Sequence, residues 1–336
     1  MVDLSVGTPV DSVPPSIRAA LEAHSDAPGY PTVHGSTALR EAYSRWLARN
    51  HDVPNVDPVA VLPTIGSKEL VASLPAQLGV GVGDTVVIPE IGYPTYEVGA
   101  LMAGATVVRA DSIAAIGSAR PALIWLNSPS NPTGQVHPID HLAKMVSWAR
   151  ERGTIVVSDE CYLDLGWDAK PVSILHPEVS GGDLTGILAA HSLSKRSNMA
   201  GYRAGFISGD PALVANLLAL RRHLGLMSPS PVQAAAITAL NDDDHVHAQR
   251  LRYRERRAKL ISGFTDAGFM VGNSEAGLYL WCTRDEPAMD SVNWLAERGI
   301  LVAPGTFYGP AGACHIRVAF TAQDERVESA VARLCD

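Results

Sequence analysis

The sequence predicts an α/β protein built on a mostly parallel sheet with helices on both faces. Three observations carry that prediction. Short apolar runs alternate with helix-like stretches through the first two-thirds of the chain, the pattern of repeated βαβ units. The runs are apolar at nearly every position, as in strands covered on both sides. Polar residues crowd their carboxyl ends, at 127–134, 159–162 and 191–195, where ligands sit in such sheets.

In chain order, an arm of residues 1–27 leads in and is free to pack on either part of the molecule. Lys68–Leu78 reads as the first helix and Thr85–Pro89, rich in β-branched residues, as the first strand. Helix Tyr96–Ala103 and strand Thr106–Arg109 follow, then strand Ala122–Asn127, helix Ile139–Arg152 and strand Ile155–Asp159. Strands Ile187–His191 and Ala204–Ser208 and helix Pro211–Leu224 complete this part. After Asp242 the texture changes. An Arg-rich helix, His245–Gly263, precedes segments Phe269–Gly272, Gly277–Cys282, Ile300–Ala303 and Ile316–Phe320, with helices at Asp290–Arg298 and Asp324–Cys335. This is a smaller α+β unit. The expected division is a large domain at 28–245 and a small domain assembled from 1–27 and 246–336.

The chain has 336 residues, 46% hydrophobic and 18% charged, enough for about two folded domains and too apolar for disorder. A net charge of −8 supplies no field to attract nucleic acid or anionic lipid, so neither is expected as a partner. No apolar run reaches the ~18 residues of a membrane span, and the N-terminus lacks a signal-peptide pattern. Cys161, Cys282, Cys314 and Cys335 are scattered, with no CxxC and no paired histidines. No metal site is expected, and the cytoplasm fits better than a secreted setting.

Only five lysines occur, against 22 arginines, so each position carries information. Lys195 follows a strand in Ser192-Leu193-Ser194-Lys195. A lysine in an apolar α/β crevice must shift its pKa or bond to something, as a Schiff-base lysine does. Ser192 and Arg203 offer a hydroxyl and a guanidinium suited to phosphate. Taken alone, Lys195 reads better as a surface residue after a strand. Asn131, in the turn Asn131–Gly134, offers an amide; Asp159, ending its strand, can pair with a cation or cap a helix. Tyr162 can hydrogen-bond the same ligand or fill a core. Gly66, Ser67 and Lys68 open an apolar helix whose N–H groups face a potential anion site, without the residues of a Walker loop. Jointly, in this order, the signals point to one site.

In these residues the sequence resembles the class I/II aminotransferases, the fold-type I enzymes that use pyridoxal 5′-phosphate (PLP). The resemblance runs from Leu4–Pro9 through Tyr30–Arg40 to His315–Phe320, and Ser192–Gly205 satisfies the lysine-attachment pattern. It implies a seven-stranded, mostly parallel sheet in an α/β/α sandwich, with the large domain binding PLP. It also implies roles. Lys195 attaches the cofactor and shuttles a proton; Asp159 keeps the pyridine nitrogen protonated. Asn131 and Tyr162 meet the ring's phenolic oxygen, and Tyr93 stacks on the ring. Gly66, Ser67, Lys68, Ser192 and Arg203 form the phosphate cup, joined by Tyr30 of a neighbouring subunit in a homodimer. Arg317 clamps the substrate α-carboxylate, over which the arm closes at Gly7. Small amino acids and 2-oxo acids are the implied substrates.

Stretches such as Gly66–Leu70, Tyr93–Gly99, Leu126–Gly134, Ser158–Leu163, His191–Asn198 and Ala303–Gly312 look nearest to actinobacterial N-succinyldiaminopimelate aminotransferases. The implied reaction is ping-pong transamination between N-succinyl-LL-2,6-diaminopimelate and 2-oxoglutarate. Aromatic, alanine or histidinol-phosphate specificity is the alternative; a PLP lyase, a decarboxylase or a non-catalytic regulatory module lies further off. Arg196 or Arg222 is the candidate for a distal substrate carboxylate. The glycines at 79–83 read as a turn, Asp242–His245 as an acidic helix cap, and Arg250–Arg257 as a solvated helix face.

Overall fold

The computed structural model describes residues 1–335. Its centre is a seven-stranded sheet. Across it lie Val61–Ile65, Ala204–Gly209, Ile187–Ser192, Ile155–Asp159, Leu123–Asn127, Thr85–Ile88 and Thr106–Arg109. Ala204–Gly209 runs against both its neighbours; every other pairing is parallel. Alternate residues serve opposite faces. Ile124, Val156 and Ala189 pack with Tyr43, Trp46 and Leu142 on one side, whereas Leu123, Trp125, Val157 and Leu188 pack with Leu70, Leu74 and Tyr96 on the other. That double covering is why the strands read as unbroken apolar runs.

The strand absent from the sequence reading is Val61–Ile65. Pro63 lies within it, a residue that cannot donate to a ladder and is tolerated because this strand is at the sheet's edge. Helix Thr37–His51 was likewise not anticipated. It starts where Ser36 Oγ accepts the Leu39 N–H at 3.2 Å, and it buries Leu39, Ala42, Tyr43, Trp46 and Leu47 at helical spacing.

The C-terminal third forms an antiparallel sheet in the order Ala303–Pro304, Ile316–Ala319, Tyr279–Thr283 and Met270–Gly272. Its core includes Tyr253, Phe264, Leu280 and Val318. The N-terminal arm is shared. Val2–Asp3 pairs in parallel with Ile300–Leu301 and buries Val2 and Leu4 in this core, whereas Ile17, on helix Pro15–Ala23, packs in the core of the large sheet. The arm therefore crosses from one core to the other, passing the ends of the central strands. The Arg-rich helix Asp244–Asp266 is not simply a solvated face. Arg256 is buried in a bidentate pair with Asp11 (2.7 and 2.8 Å) and a second bond to Asp324 (2.6 Å), fastening arm to C-terminal helix. Among the described residues, no helix is long and apolar enough to cross a membrane.

Candidate active site

Three strand ends converge under the arm. Strand Leu123–Asn127 ends on buried Asn127, whose amide donates to the Asp159 carbonyl (2.9 Å) and the Pro129 carbonyl (3.1 Å). Its Oδ1 accepts the Asn131 N–H at 2.8 Å, so one short amide ties the 128–134 loop to the neighbouring strand and fixes Asn131. Asp159 ends that neighbouring strand. Tyr96 Oη donates to its Oδ2 at 2.8 Å and the Cys161 N–H to its Oδ1 at 3.2 Å. Burial pushes the Asp159 carboxyl above its ordinary value, against these bonds, which favour the ionised form. The third strand ends at Ser192, whose Oγ caps the short turn Leu193–Arg196 by accepting the Ser194 N–H (3.1 Å). That turn delivers the Lys195 ammonium to the carbonyl of Gly7 in the arm.

The remaining walls come from further along the chain. Arg203 adopts a left-handed backbone (φ 56°), and a Cβ at Gly66 would overlap its guanidinium. The left-handed backbone of Gly66 (φ 74°) favours glycine there, and without a Cβ it lets the guanidinium lie against it. Gly66 also opens helix Ser67–Gln77 without a side-chain cap, leaving its first N–H groups unclaimed. Arg317, in the centre of the C-terminal sheet, donates through Nη1 to Asn131 Oδ1 (2.9 Å) and through Nη2 to the Ser5 carbonyl (2.6 Å). Its guanidinium lies 4.0 Å from the Tyr279 ring centroid. It is 7% exposed, its Nε has no partner, and it pairs with no carboxylate among the described residues.

Together these residues enclose a cavity of about 560 Å3. Of the residues the sequence singled out, Gly7, Ser67, Lys68, Tyr93, Asn131, Asp159, Tyr162, Ser192, Lys195, Arg203 and Arg317 line it. Gly66 lies against Arg203 rather than on the wall, and Tyr30 is outside it, 97% exposed. Arg196 is a correction. It is buried away from the cavity on Asp164 (3.0 Å) and Asp243 (3.4 Å), so it cannot reach a distal carboxylate. Tyr96, Cys161 and Tyr279 were missed. Each stands within an ordinary hydrophobic pattern, where an aromatic or a cysteine reads as core.

Lys68, Lys195, Arg203 and Arg317 line the cavity together with one carboxylate, Asp159. The excess positive charge, the hydroxyls of Ser67, Ser192 and Ser194, and an amine beside a buried acid suit a ligand carrying phosphate, carbonyl and basic-ring groups. PLP has all three, and the residues present fit it. Among the described residues no group of three metal-ligating side chains occurs.

The family described as aminotransferase class I and II matches residues 1–334. A probable aminotransferase of Mycobacterium tuberculosis is 61% identical over 334 residues, 99% of this chain and 80% of the relative. The 4-dedimethylamino-4-oxo-anhydrotetracycline transaminase OxyQ of Streptomyces rimosus is 54% identical over 99% of this chain and 93% of its own. Among solved structures, an aminotransferase from Staphylococcus aureus superposes with a TM-score of 0.92 at 26% identity, covering 99% of this chain and 93% of that one.

Proposed function

The chain belongs to the class I and II aminotransferases, and from that premise we propose that it transfers the amino group of N-succinyl-LL-2,6-diaminopimelate to 2-oxoglutarate. The products are N-succinyl-2-amino-6-oxopimelate and glutamate, in cytoplasmic diaminopimelate and lysine synthesis. The family and fold are PLP-dependent and act on amino and oxo acids. The observation that carries the reading is Arg317, a buried guanidinium without a carboxylate in the cavity that holds Lys195. The choice of donor rests on the local stretches around Gly66, Tyr93, Asn131, Asp159, Lys195 and Gly305.

When bound, PLP supplies an electron sink for charge developing at the substrate Cα. Lys195 attaches it and then holds and returns one proton at Nζ. Arg317 exchanges the Ser5 carbonyl for the α-carboxylate, steadied at Nη1 by Asn131, and the arm closes at Gly7. Asp159 keeps the ring nitrogen protonated, Asn131 and Tyr162 bind the ring oxygen, and Tyr93 covers the ring and excludes water. Ser67, Lys68, Ser192 and Arg203 take the phosphate against the Gly66 turn. Tyr30, exposed on a single chain, completes that cup in a second copy within a homodimer.

The identity to OxyQ favours a second reading, in which the amino group goes to an oxo-anhydrotetracycline-like ring. A steady-state comparison separates them. N-succinyl-LL-diaminopimelate should exceed aromatic donors in kcat/KM by about tenfold or more, with glutamate, the other amino substrate of the pair, also turned over. Comparable values for the aromatic donors would remove the substrate assignment, and preferred turnover of the tetracycline ketone would install the second reading. A protein with no PLP absorbance fixed by borohydride onto Lys195 would remove both.

A further inference from the structure

Tyr279 has no role in the reading above, yet it touches three parts of the cavity. It opens strand Tyr279–Thr283, buried and on the cavity wall. Its ring face carries the Arg317 guanidinium, Cζ 4.0 Å from the centroid. Its hydroxyl is 3.0 Å from that of Tyr162, with the two rings edge to face at 5.8 Å. The same hydroxyl lies under the arm, so that a Cβ at Gly7 would overlap it. The two phenols are not equivalent. Burial drives the Tyr162 hydroxyl well above its ordinary value. Burial acts the same way on Tyr279, but Arg317 and Lys195 outweigh it and hold that hydroxyl below the ordinary phenol value. Each phenol carries a single proton, so when Tyr162 donates to the ring oxygen of the PLP reading, the bond between the two hydroxyls is donated by Tyr279. The bond from Tyr279 then strengthens the one that Tyr162 makes to the ring oxygen.

We propose that Tyr279 is a positioning residue of the transamination, holding the Arg317 guanidinium on its ring face for the substrate carboxylate and, through its hydroxyl, backing Tyr162 as it donates to the ring oxygen. The two functions belong to different atoms and can be separated. This inference rests on the PLP reading, in which Tyr162 meets the ring oxygen and stabilises its ionised form.

The test uses the PLP-loaded protein with two variants. Tyr279→Phe keeps the ring and removes the hydroxyl. The pH midpoint of the cofactor absorbance should rise by about half a unit and kcat should fall, while the Kd for succinate, an unreactive carboxylate, stays within about twofold. Tyr279→Leu removes both. It should show the same midpoint shift, weaken succinate about tenfold by calorimetry and raise KM for the donor accordingly. If Tyr279→Leu does not fold, Tyr279→Met replaces it. Variants that merely melt earlier, with midpoint and succinate affinity unchanged, overturn the proposal. A parent protein that binds no PLP removes the underlying reading, and this inference with it; a parent that binds PLP but is indifferent to both substitutions removes this inference alone.

Discussion

Lys195 and Arg196 are neighbours in sequence and face two regions with opposite treatment of charge. Behind the turn, Arg196 is bonded to Asp164, Asp243 and the Ala239 carbonyl, with Trp46 against its guanidinium. His51 Nε2 approaches the other oxygen of Asp164 at 3.3 Å. Nearby, Glu160 and His191 pair at 2.9 Å, and His191 continues to Tyr43 at 2.7 Å. Buried Arg221 and Arg256 are matched in the same way by Glu69 and by Asp11 with Asp324. In front of the turn, Lys195 reaches only a carbonyl among the described residues, and buried Arg317 has no carboxylate among them. A charge buried for the fold's sake is matched inside the fold, because an unmatched one is costly. A charge left unmatched is kept for a ligand.

The largest expected break in that contrast is Lys195→Ala. Turnover should fall by about 10^4-fold or more while the melting temperature holds, and borohydride should no longer fix a chromophore to the protein. Residual turnover within tenfold of the parent would show that the unmatched amine is incidental. Next come the two arginines, read in opposite currencies. Arg196→Leu strands Asp164 without its partner and should cost about 3–5 kcal/mol of stability in urea unfolding. Arg317→Leu strands no carboxylate among the described residues, only the Asn131 and Ser5 oxygens that accept from it. The cofactor-free protein should lose much less stability than Arg196→Leu does, while kcat/KM for the amino donor drops on the order of 10^2- to 10^3-fold, the ~2–5 kcal/mol of a buried carboxylate contact. Equal loss of stability in both variants would erase the distinction between the regions.

How much of this was legible in the sequence follows from the same division. Lys195, Asp159 and Asn131 stand at the carboxyl ends of runs such as Ile155–Asp159, where polarity interrupts an apolar strand and so announces itself. The large sheet was legible for the same reason, except at Pro63, where an edge position overrides the local prohibition. What could not be read was which partner each polar group would find. Arg196 has the same local surroundings as Lys195, and only the approach of Asp164 and Asp243 tells them apart. Tyr96 and Tyr279 sit inside apolar patterns and become visible only when Asp159 and Arg317 arrive beside them.

The smallest expected effect sharpens the comparison by pH, since each region buries one aspartate. Burial would raise Asp164, but Arg196 and His51 hold it far below the usual carboxylate range. Its contribution to stability is complete above the unfolded value near ~4 and is lost only as pH falls below that towards its depressed folded value. Asp159 is shifted the other way, raised by burial. In the cofactor-free protein its ionised form therefore costs stability at neutral pH. That cost is relieved as pH falls through the raised folded value towards ~4. Asp159→Asn should accordingly stabilise the cofactor-free protein at pH 7, with the gain vanishing near pH 4. Asp164→Asn should destabilise at pH 7, with the deficit shrinking only in stronger acid. Thermal melts of both variants from pH 7 down to 3 would show two curves of opposite sign. Two parallel curves, or a loss for Asp159→Asn at every pH, would mean that the cavity carboxylate is as well matched as the one behind it, and that its unmatched charge is not what fits the site to a cationic ring.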